Sequence, residues 1–248
     1  MEELEKYVIL AGLGKDYHRM FQLWYSFFSG YGLDKMLIVI TFDNESEAIV
    51  RSLGIRVHPA GKQIIQLSDI FVERLSVIRE YLEQGFHVIH TDLDAFWFSC
   101  SVVELANPAF DLQISKGGGH PRAAVEKWGF SLCCGFFILH SNSSTLDFTR
   151  TWVDETIKLR DDQTALNELL LRDPPGWHEG PHEGHIGTCR GYNLSLQAFS
   201  TQIISRGQNK DIRIERDKLR VFHPYLPAKD EESKRAEAIH RLAEEITG

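Results

Sequence analysis

Residues 86–98 of the sequence are FHVIHTDLDAFWF. The β-prone run at 86–91 is typical of a buried strand in a parallel sheet. Two aspartates one residue apart, Asp92 and Asp94, follow it directly, and an aromatic group at 96–98, most simply core packing, comes next. Ligands of open parallel sheets bind in the crevice at the carboxyl ends of the strands. The segment therefore predicts two carboxylates at the ligand-binding edge of an α/β sheet.

The chain before this segment alternates between strand and helix patterns. Apolar periodicity predicts strands at 7–11, 36–41 and 55–57 and helices at 18–31, 45–53 and 67–84. We expect Ser68 to cap the third helix and Gly85 to end it. The βαβαβ order predicts an α/β fold with helices packed on a mostly parallel sheet.

After the aspartates the pattern is less regular. A strand at 130–140, a helix at 145–159 and a helix that starts at 161–163 are expected, followed by short strands near 195–201 and 219–223 and an amphipathic helix at 231–246. Residues 116–127 are predicted as a loop or a short helix, and the Gly/Pro/His-rich segment 172–191 as a loop. Within that segment, His178, His182 and His185 are better explained by a flexible acceptor-side lid than by a zinc site.

Composition indicates a globular protein and excludes disordered and collagen-like classes. The 248 residues are 43% hydrophobic and 25% charged, with a net charge of −8. This charge disfavours general attraction to nucleic acid or anionic membranes, although residues 206–220 carry six basic and three acidic side chains. Four cysteines are too few for a disulfide scaffold, so buried thiols are expected. Without a signal-like or membrane-spanning apolar run, we predict a cytoplasmic protein with no membrane insertion.

Paired carboxylates at a strand end have a definite chemical use. Mg²⁺ and Mn²⁺ accept a few carboxylates and keep positions open for phosphate oxygens, so Asp92 and Asp94 predict a metal-bound nucleotide diphosphate. The alternative is that the two aspartates only solvate the strand end. Two other motifs are absent. Tyr17 stands where the dinucleotide-binding pattern GxGxxG, begun at Gly12, needs glycine, and the serine-hydrolase motif GxSxG does not occur.

The order of several motifs resembles the GT-A glycosyltransferases, and more narrowly the nucleotide-diphospho-sugar transferase domain of glycosyltransferase family 77. The resemblance covers roughly residues 7–171, and its matching pieces are VIHTDLDAFW at 88–97, GFFILHS at 135–141, Trp152, Asp162-Gln163, Asn167 and Leu169-Leu170. It implies one Rossmann-like domain over 1–248, with a nucleotide-binding half at 1–100 and an acceptor and sugar half, including the C-terminal helix, at 101–248.

The resemblance also implies a role for individual residues. Asp92 and Asp94 would hold Mn²⁺ or Mg²⁺, with Asp92 also near the ribose, and the late histidine His223 would complete the metal shell unless it is structural. The backbone of the turn Ala11-Gly12-Leu13 would receive the nucleobase and ribose.

Four further positions follow from the same resemblance. Arg74 would extend toward the donor, or else be a solvated helix charge. Gly135 would let the sugar pass close to the backbone, although Cys134 stands where the family prefers Asn. Lys229 would neutralise the leaving diphosphate, or else be a surface lysine. Asp162 and Gln163 would bind hydroxyls of the donor sugar, while a helix-capping role alone also explains Asp162.

The function that the resemblance implies is metal-dependent transfer of a sugar from a nucleoside-diphosphate sugar, expected to be UDP-linked, to an acceptor hydroxyl with retention of configuration. The acceptor would be a glycan, a protein or a small molecule, and a nucleic-acid acceptor is less favoured. The alternative function is binding of a nucleotide sugar without transfer.

Overall fold

The computed structural model describes residues 4–61, 64–180, 184–205 and 218–224. Three sequence-based predictions lie outside these residues: Lys229, the helix at 231–246 and most of the basic segment at 206–220.

The described part of the chain contains six α-helices and twelve strands. The strands are β1 (Tyr7–Leu13), β2 (Leu37–Thr41), β3 (Arg56–Pro59), β4 (His87–Thr91), β5 (Phe96–Trp97), β6 (Leu112–Gly117), β7 (Ser131–Leu139), β8 (His178–Glu179), β9 (His185–Cys189), β10 (Leu194–Ala198), β11 (Ile204–Ser205) and β12 (Val221–Phe222). The helices are α1 (His18–Phe28), α2 (Asn44–Ser52), α3 (Leu67–Glu83), α4 (Arg122–Trp128), α5 (Ser143–Leu159) and α6 (Asp162–Arg172).

A nine-stranded sheet forms the centre of the fold, in the order β3-β2-β1-β4-β7-β6-β10-β9-β8. Within it only β7 and β9 run against the others, so seven of the nine strands described share one direction. The predicted mostly parallel α/β sheet is confirmed. A smaller sheet of the described residues, β11-β12-β5, lies beside the carboxyl end of β4.

Apolar cores cover both faces of the large sheet. One contains α3, α5 and α6, and the other contains α1 and the aromatic pair Phe96 and Trp97, as expected for core packing. The strands between them are apolar on both sides, because every residue of β2 and of β7 is buried. In the described residues, we find no helix with the length and apolarity needed to cross a membrane.

The cap of α3 differs from the prediction. The carboxylate of Asp69 accepts the backbone N–H groups of Ile65 and Gln66, each at 2.9 Å. Because α3 begins at Leu67, Ser68 already stands inside the first turn and does not occupy the N-cap position, which belongs to Gln66.

The loop predicted at 172–191 is wrong in part, since it contains β8 and β9. Glycine is used there for close packing: a side chain at Gly187 would come within 2.8 Å of the Pro175 carbonyl oxygen. His178 and His185 lie on these two strands, so a flexible lid does not describe them, while His182 is outside the described residues.

Strand β6 was not predicted, because its sequence mixes apolar and polar residues that are nevertheless buried. Gln113 donates to the Leu105 carbonyl at 2.7 Å and Ser115 donates to the Cys133 carbonyl at 2.9 Å. The expected loop or helix at 116–127 accordingly divides into the end of β6 and helix α4.

The prediction that the cysteine thiols are buried is confirmed for Cys133, Cys134 and Cys189. It is wrong for Cys100, which is exposed.

A histidine cluster, in which His140 is buried and His87 is partly exposed, lies at the edge of the sheet opposite the aspartates. Tyr7 donates its hydroxyl to His140 Nε2 at 2.9 Å, and His140 Nδ1–H donates to the Phe110 carbonyl at 2.7 Å. Burial, together with the neighbouring His87, lowers the pKa of His140 below its ordinary value of 6.5. The fold therefore holds this imidazole in its neutral form.

The His140 cluster predicts a loss of stability in mild acid. Below the unfolded pKa of about 6.5 the unfolded chain binds a proton that the folded chain resists, so the contribution is complete above that pH and is lost as the pH falls below it. We expect the free energy of unfolding, measured with urea at about pH 7.5 and about pH 5.5, to fall less in His140→Gln than in the unmodified protein. An equal fall in both proteins would contradict this assignment.

Candidate functional site

The turn after β4 directs Asp92 and Asp94 away from the core. Leu93 between them is buried, whereas both aspartates are partly exposed. The Asp92 N–H donates to the Gly135 carbonyl at 2.7 Å and the Ala95 N–H donates to the Asp92 carbonyl at 3.0 Å, which fixes the turn at both sides. The two carboxylates thus stand on a rigid turn at the carboxyl edge of the sheet.

His223 reaches the same place from a distant part of the chain. It follows β12, which pairs with β5 just beyond the two aspartates, so the small sheet returns the histidine to the turn. Its Nε2 atom lies 3.1 Å from Asp94 Oδ1, and one ligand atom from each of Asp92, Asp94 and His223 lies within 4.8 Å of the others. Two carboxylates and an imidazole are a donor set that suits Mn²⁺, so these residues fit the divalent cation that the sequence predicts.

The imidazole of His223 lies directly over Gly135. A Cβ atom at Gly135 would come within 1.9 Å of His223 Cε1, and the Nδ1 atom of His223 lies 3.9 Å from Cys133 Sγ. Glycine at this position therefore makes room for the histidine ring, and both residues lie together in the site.

We expect Gly135→Ala to displace His223. Overpacking of this kind costs about 1–3 kcal/mol of stability, and moving the imidazole should weaken Mn²⁺ binding measured by calorimetry. Gly30→Ala is the control, because a Cβ atom there meets nothing within 4 Å. Unchanged Mn²⁺ affinity in Gly135→Ala would show that the histidine does not need this space.

Arg74 is buried and bound by protein carboxylates. Its Nη1 atom donates to Asp92 Oδ1 at 2.7 Å and lies 3.1 Å from His90 Nε2, while Nη2 pairs with Asp162. The guanidinium also lies 5.5 Å from the ring centroid of Phe71. Arg74 thus connects the turn after β4 to the start of α6, and it is not a solvated helix charge.

The charges in this cluster respond to burial and to one another. Burial would lower the pKa of Arg74, but Asp162 and Asp92 outweigh it and raise that pKa. Burial opposes ionisation of Asp92 as well, yet Arg74 and His90 hold its pKa below the usual range. For Asp162 burial outweighs Arg74, so its pKa is raised. Burial and then Arg74 lower the pKa of His90 to about 4, which keeps this ring neutral.

The start of α6 is positioned by several hydrogen bonds. Trp152 donates its indole N–H to the Asp162 carbonyl at 2.8 Å, and Asn167 both donates to and accepts from the Leu132 backbone at 2.9 Å. Gln163 donates its side-chain N–H to the His120 carbonyl at 2.6 Å. Asp162 is therefore held against Arg74, while Gln163 is tied to the segment that precedes α4.

A cleft of about 520 Å³ opens beside the aspartates. It is lined by Gly12, Gly14, Lys15, Asp16, Tyr17, Phe42, Asp43, residues 64–67, Ile70, Phe71, Arg74, Asp92, Leu93 and Asp94. Of the predicted turn, Gly12 lines the cleft, whereas the side chains of Ala11 and Leu13 are buried. The expected turn is wrong in part, because β1 continues to Leu13 and residues 11–13 pair with β2.

The structure brings most of the predicted site residues to one edge of the sheet. Asp92, Asp94, Gly135 and His223 lie together, and Arg74 joins them to Asp162. Lys229 lies outside the described residues. Sequence reasoning missed the cleft residues Phe42 and Asp43, which follow β2. Their position at a strand end was the available signal, since it is the same signal that identified Asp92.

Residues 32–226 match the profile of the nucleotide-diphospho-sugar transferase family. An uncharacterised protein of Arabidopsis thaliana is 28% identical over 116 residues, which are 44% of this chain and 33% of that relative. This chain thus spans about a third of the length of the curated relative that it matches.

Solved structures agree on the fold. The galactosyltransferase LgtC, in complex with donor and acceptor sugar analogues, superposes with a TM-score of 0.56 at 12% identity, over 97% of this chain and 96% of that one. Mouse xyloside xylosyltransferase 1 gives a TM-score of 0.50 at 9% identity, over 89% and 99% of the two chains. The predicted GT-A fold is confirmed, and because the family profile covers most of the chain, the protein belongs to the nucleotide-diphospho-sugar transferase family of glycosyltransferases.

Proposed function

We propose that this protein transfers a sugar from a UDP-linked donor to an acceptor hydroxyl, with Mn²⁺ or Mg²⁺ bound by Asp92, Asp94 and His223. The observation that carries the proposal is the convergence of these three side chains beside the cleft, which Asp92 and Asp94 line. A cation bound there would offset the negative charge that develops on the leaving diphosphate.

In this proposal the protein's own residues hold the donor. The cleft beside Gly12 takes the nucleoside, and Asp92 is kept ionised by Arg74 so that its second carboxylate oxygen remains available to the cation. Gln163 and the start of α6 form the wall for the donor sugar. Residues 1–100 then act as the nucleotide-binding half of one domain, and the remainder as the sugar and acceptor half.

We further propose that the anomeric configuration is retained. Inversion needs a general base that takes the proton of the acceptor hydroxyl. Asp162 is a further carboxylate close to Asp92 through Arg74, and its pairing with the buried Arg74 guanidinium disfavours that task. The acceptor is proposed to be a glycan, a protein or a small molecule; a nucleic-acid acceptor and a cytoplasmic location stay sequence-based predictions.

A panel of UDP-, GDP- and CDP-sugars tests the proposal. With Mn²⁺ present, we expect one UDP-sugar to be hydrolysed or transferred and to raise the melting temperature of the protein. Release of UDP and the anomeric configuration of the product would be measured together. Binding of UDP without turnover on any donor and acceptor would instead identify a nucleotide-sugar-binding protein, and no binding of any nucleotide would contradict the proposal altogether.

A further inference from the structure

The carboxyl edge of the sheet continues past Asp92 and Asp94 toward β6. Strands β4, β7 and β6 are consecutive neighbours, and the cleft extends from Asp92 in the other direction, toward β2. Adjacent strands lie about 4.8 Å apart, which places the end of β6 about 10 Å from the end of β4. The segment after β6 reaches the start of α6, where Gln163 donates to the His120 carbonyl. The end of β6 therefore stands beside the proposed sugar wall, on the side away from the cleft.

Lys116, near the end of β6, is held in place by aromatic rings. Its Nζ atom lies 5.1 Å from the ring centroid of Phe130. Phe130 is buried, and Trp128 and Trp177 pack against it with ring centroids 6.3 Å and 5.7 Å from its own. An ammonium group is attracted to the face of an aromatic ring. The fold thus fixes a positive charge at this point of the sheet edge.

His185 completes a pair with Lys116. The Nζ atom of Lys116 lies 2.7 Å from Nδ1 of His185, and because an ammonium group has no acceptor, Lys116 donates and Nδ1 accepts. Burial and then the charge of Lys116 lower the pKa of His185 below its ordinary value of 6.5. Near neutral pH the ring is therefore uncharged and carries its proton on Nε2. Both residues are partly exposed, so a ligand can reach a pair that offers N–H donors and a positive charge.

An anion that only accepts hydrogen bonds suits such a pair. A carboxylate has two accepting oxygens and no donor, and hydrogen bonds between charged groups are about twice as strong as neutral ones. Glu179 stands opposite His185 on β8, but it is exposed, so solvent screens its charge. The net charge of −8 gives an acidic ligand no general attraction to the protein. Recognition of an acidic ligand at this edge therefore depends on a local positive charge.

We propose that Lys116 and His185 bind a carboxylate of the acceptor, so that the acceptor is an acidic glycan that contains a uronic acid. A sugar held by its carboxylate at the end of β6 extends toward the end of β4, where the donor is proposed to react. The inference rests on the proposed function and narrows its acceptor to one chemical class.

Matched pairs of acceptors test this class in the unmodified protein. With Mn²⁺ and the UDP-sugar identified by the donor panel, transfer is measured to the methyl glycosides of glucuronic and galacturonic acid and to those of glucose and galactose. We expect kcat/KM for one uronide to exceed that for its neutral counterpart by at least about tenfold, as for a hydrogen bond to a charged group. Equal values, a preference for the neutral glycoside, or no transfer to either uronide while the UDP-sugar is still hydrolysed would overturn the inference. Failure to bind UDP or to hydrolyse any UDP-sugar would contradict the proposed function itself.

Lys116→Met assigns the preference to this residue. Methionine keeps an unbranched side chain over Phe130 but removes the charge, and the melting temperature verifies the fold. The KM for the uronide is expected to rise about 10- to 100-fold, while the KM for the neutral glycoside and the dissociation constant of UDP stay unchanged. Lys116→Arg should retain most of the preference. Lys127→Met, at an exposed position in the last turn of α4, is the control and should behave like the unmodified protein. An equal loss for acidic and neutral acceptors in Lys116→Met would show that Lys116 only supports the fold.

Discussion

Replacement of Arg74 by methionine is expected to lower the free energy of unfolding by about 3–5 kcal/mol, the usual cost of removing one partner from a buried ion pair. Arg74 neutralises Asp92 and Asp162 together, and Asp162 is almost fully buried. Without the guanidinium, these two carboxylates must either remain charged and unpaired or take up protons. Urea unfolding at neutral pH measures the loss.

Two further variants make the Arg74 result specific. Arg79 lies on the same helix, and its ion pair with Glu83 at 3.1 Å is partly exposed, so Arg79→Met should cost about 1 kcal/mol, less than Arg74→Met. Adding Asp162→Asn to Arg74→Met should recover part of the stability, because the unpaired buried charge is removed. A double variant that is less stable than Arg74→Met would show that the buried carboxylate is not the cause.

Asp94→Asn is expected to lower turnover by about 10³-fold or more, because a catalytic metal ion contributes several kcal/mol and each 1.36 kcal/mol is about tenfold in rate. The amide preserves the size of the side chain but loses the charge that attracts the cation. Steady-state turnover of the UDP-sugar identified by the donor panel measures the effect. Asp154→Asn, at an exposed position on α5, should leave turnover unchanged. Full activity in Asp94→Asn would exclude Asp94 as a metal ligand.

Local patterns in the sequence predict much of the first half of the fold. Strands β1 and β2 are apolar runs, and such runs are typical of a sheet covered on both faces. Strand β6 could not be predicted in this way, because it contains the polar residues Gln113 and Ser115. Both are buried, and their hydrogen-bond partners are brought close only by folding. The strands at 178–179 and 185–189 were not predicted because their segment is rich in glycine, which is typical of loops. At Gly187, however, the glycine is needed for close packing.

The part of the candidate site that is formed by residues close together in the sequence could be predicted. Asp92 and Asp94 carry their own signal, and the resemblance pointed to His223. The role of Arg74 as a link between Asp92 and Asp162 was not predictable, because it depends on how α3 and α6 meet at the sheet edge. Asp43 was missed for a related reason: as the N-cap of α2 it has a sufficient structural role, and only the cleft gives it another neighbour.

Calorimetric titration of UDP into the protein, with Mn²⁺ and then with EDTA, tests the central claim most directly. If Asp92, Asp94 and His223 hold a cation that bridges to the donor diphosphate, UDP should bind at least about tenfold more tightly with Mn²⁺, and His223→Ala should remove most of that difference. An affinity for UDP that is the same with Mn²⁺ and with EDTA would contradict the account.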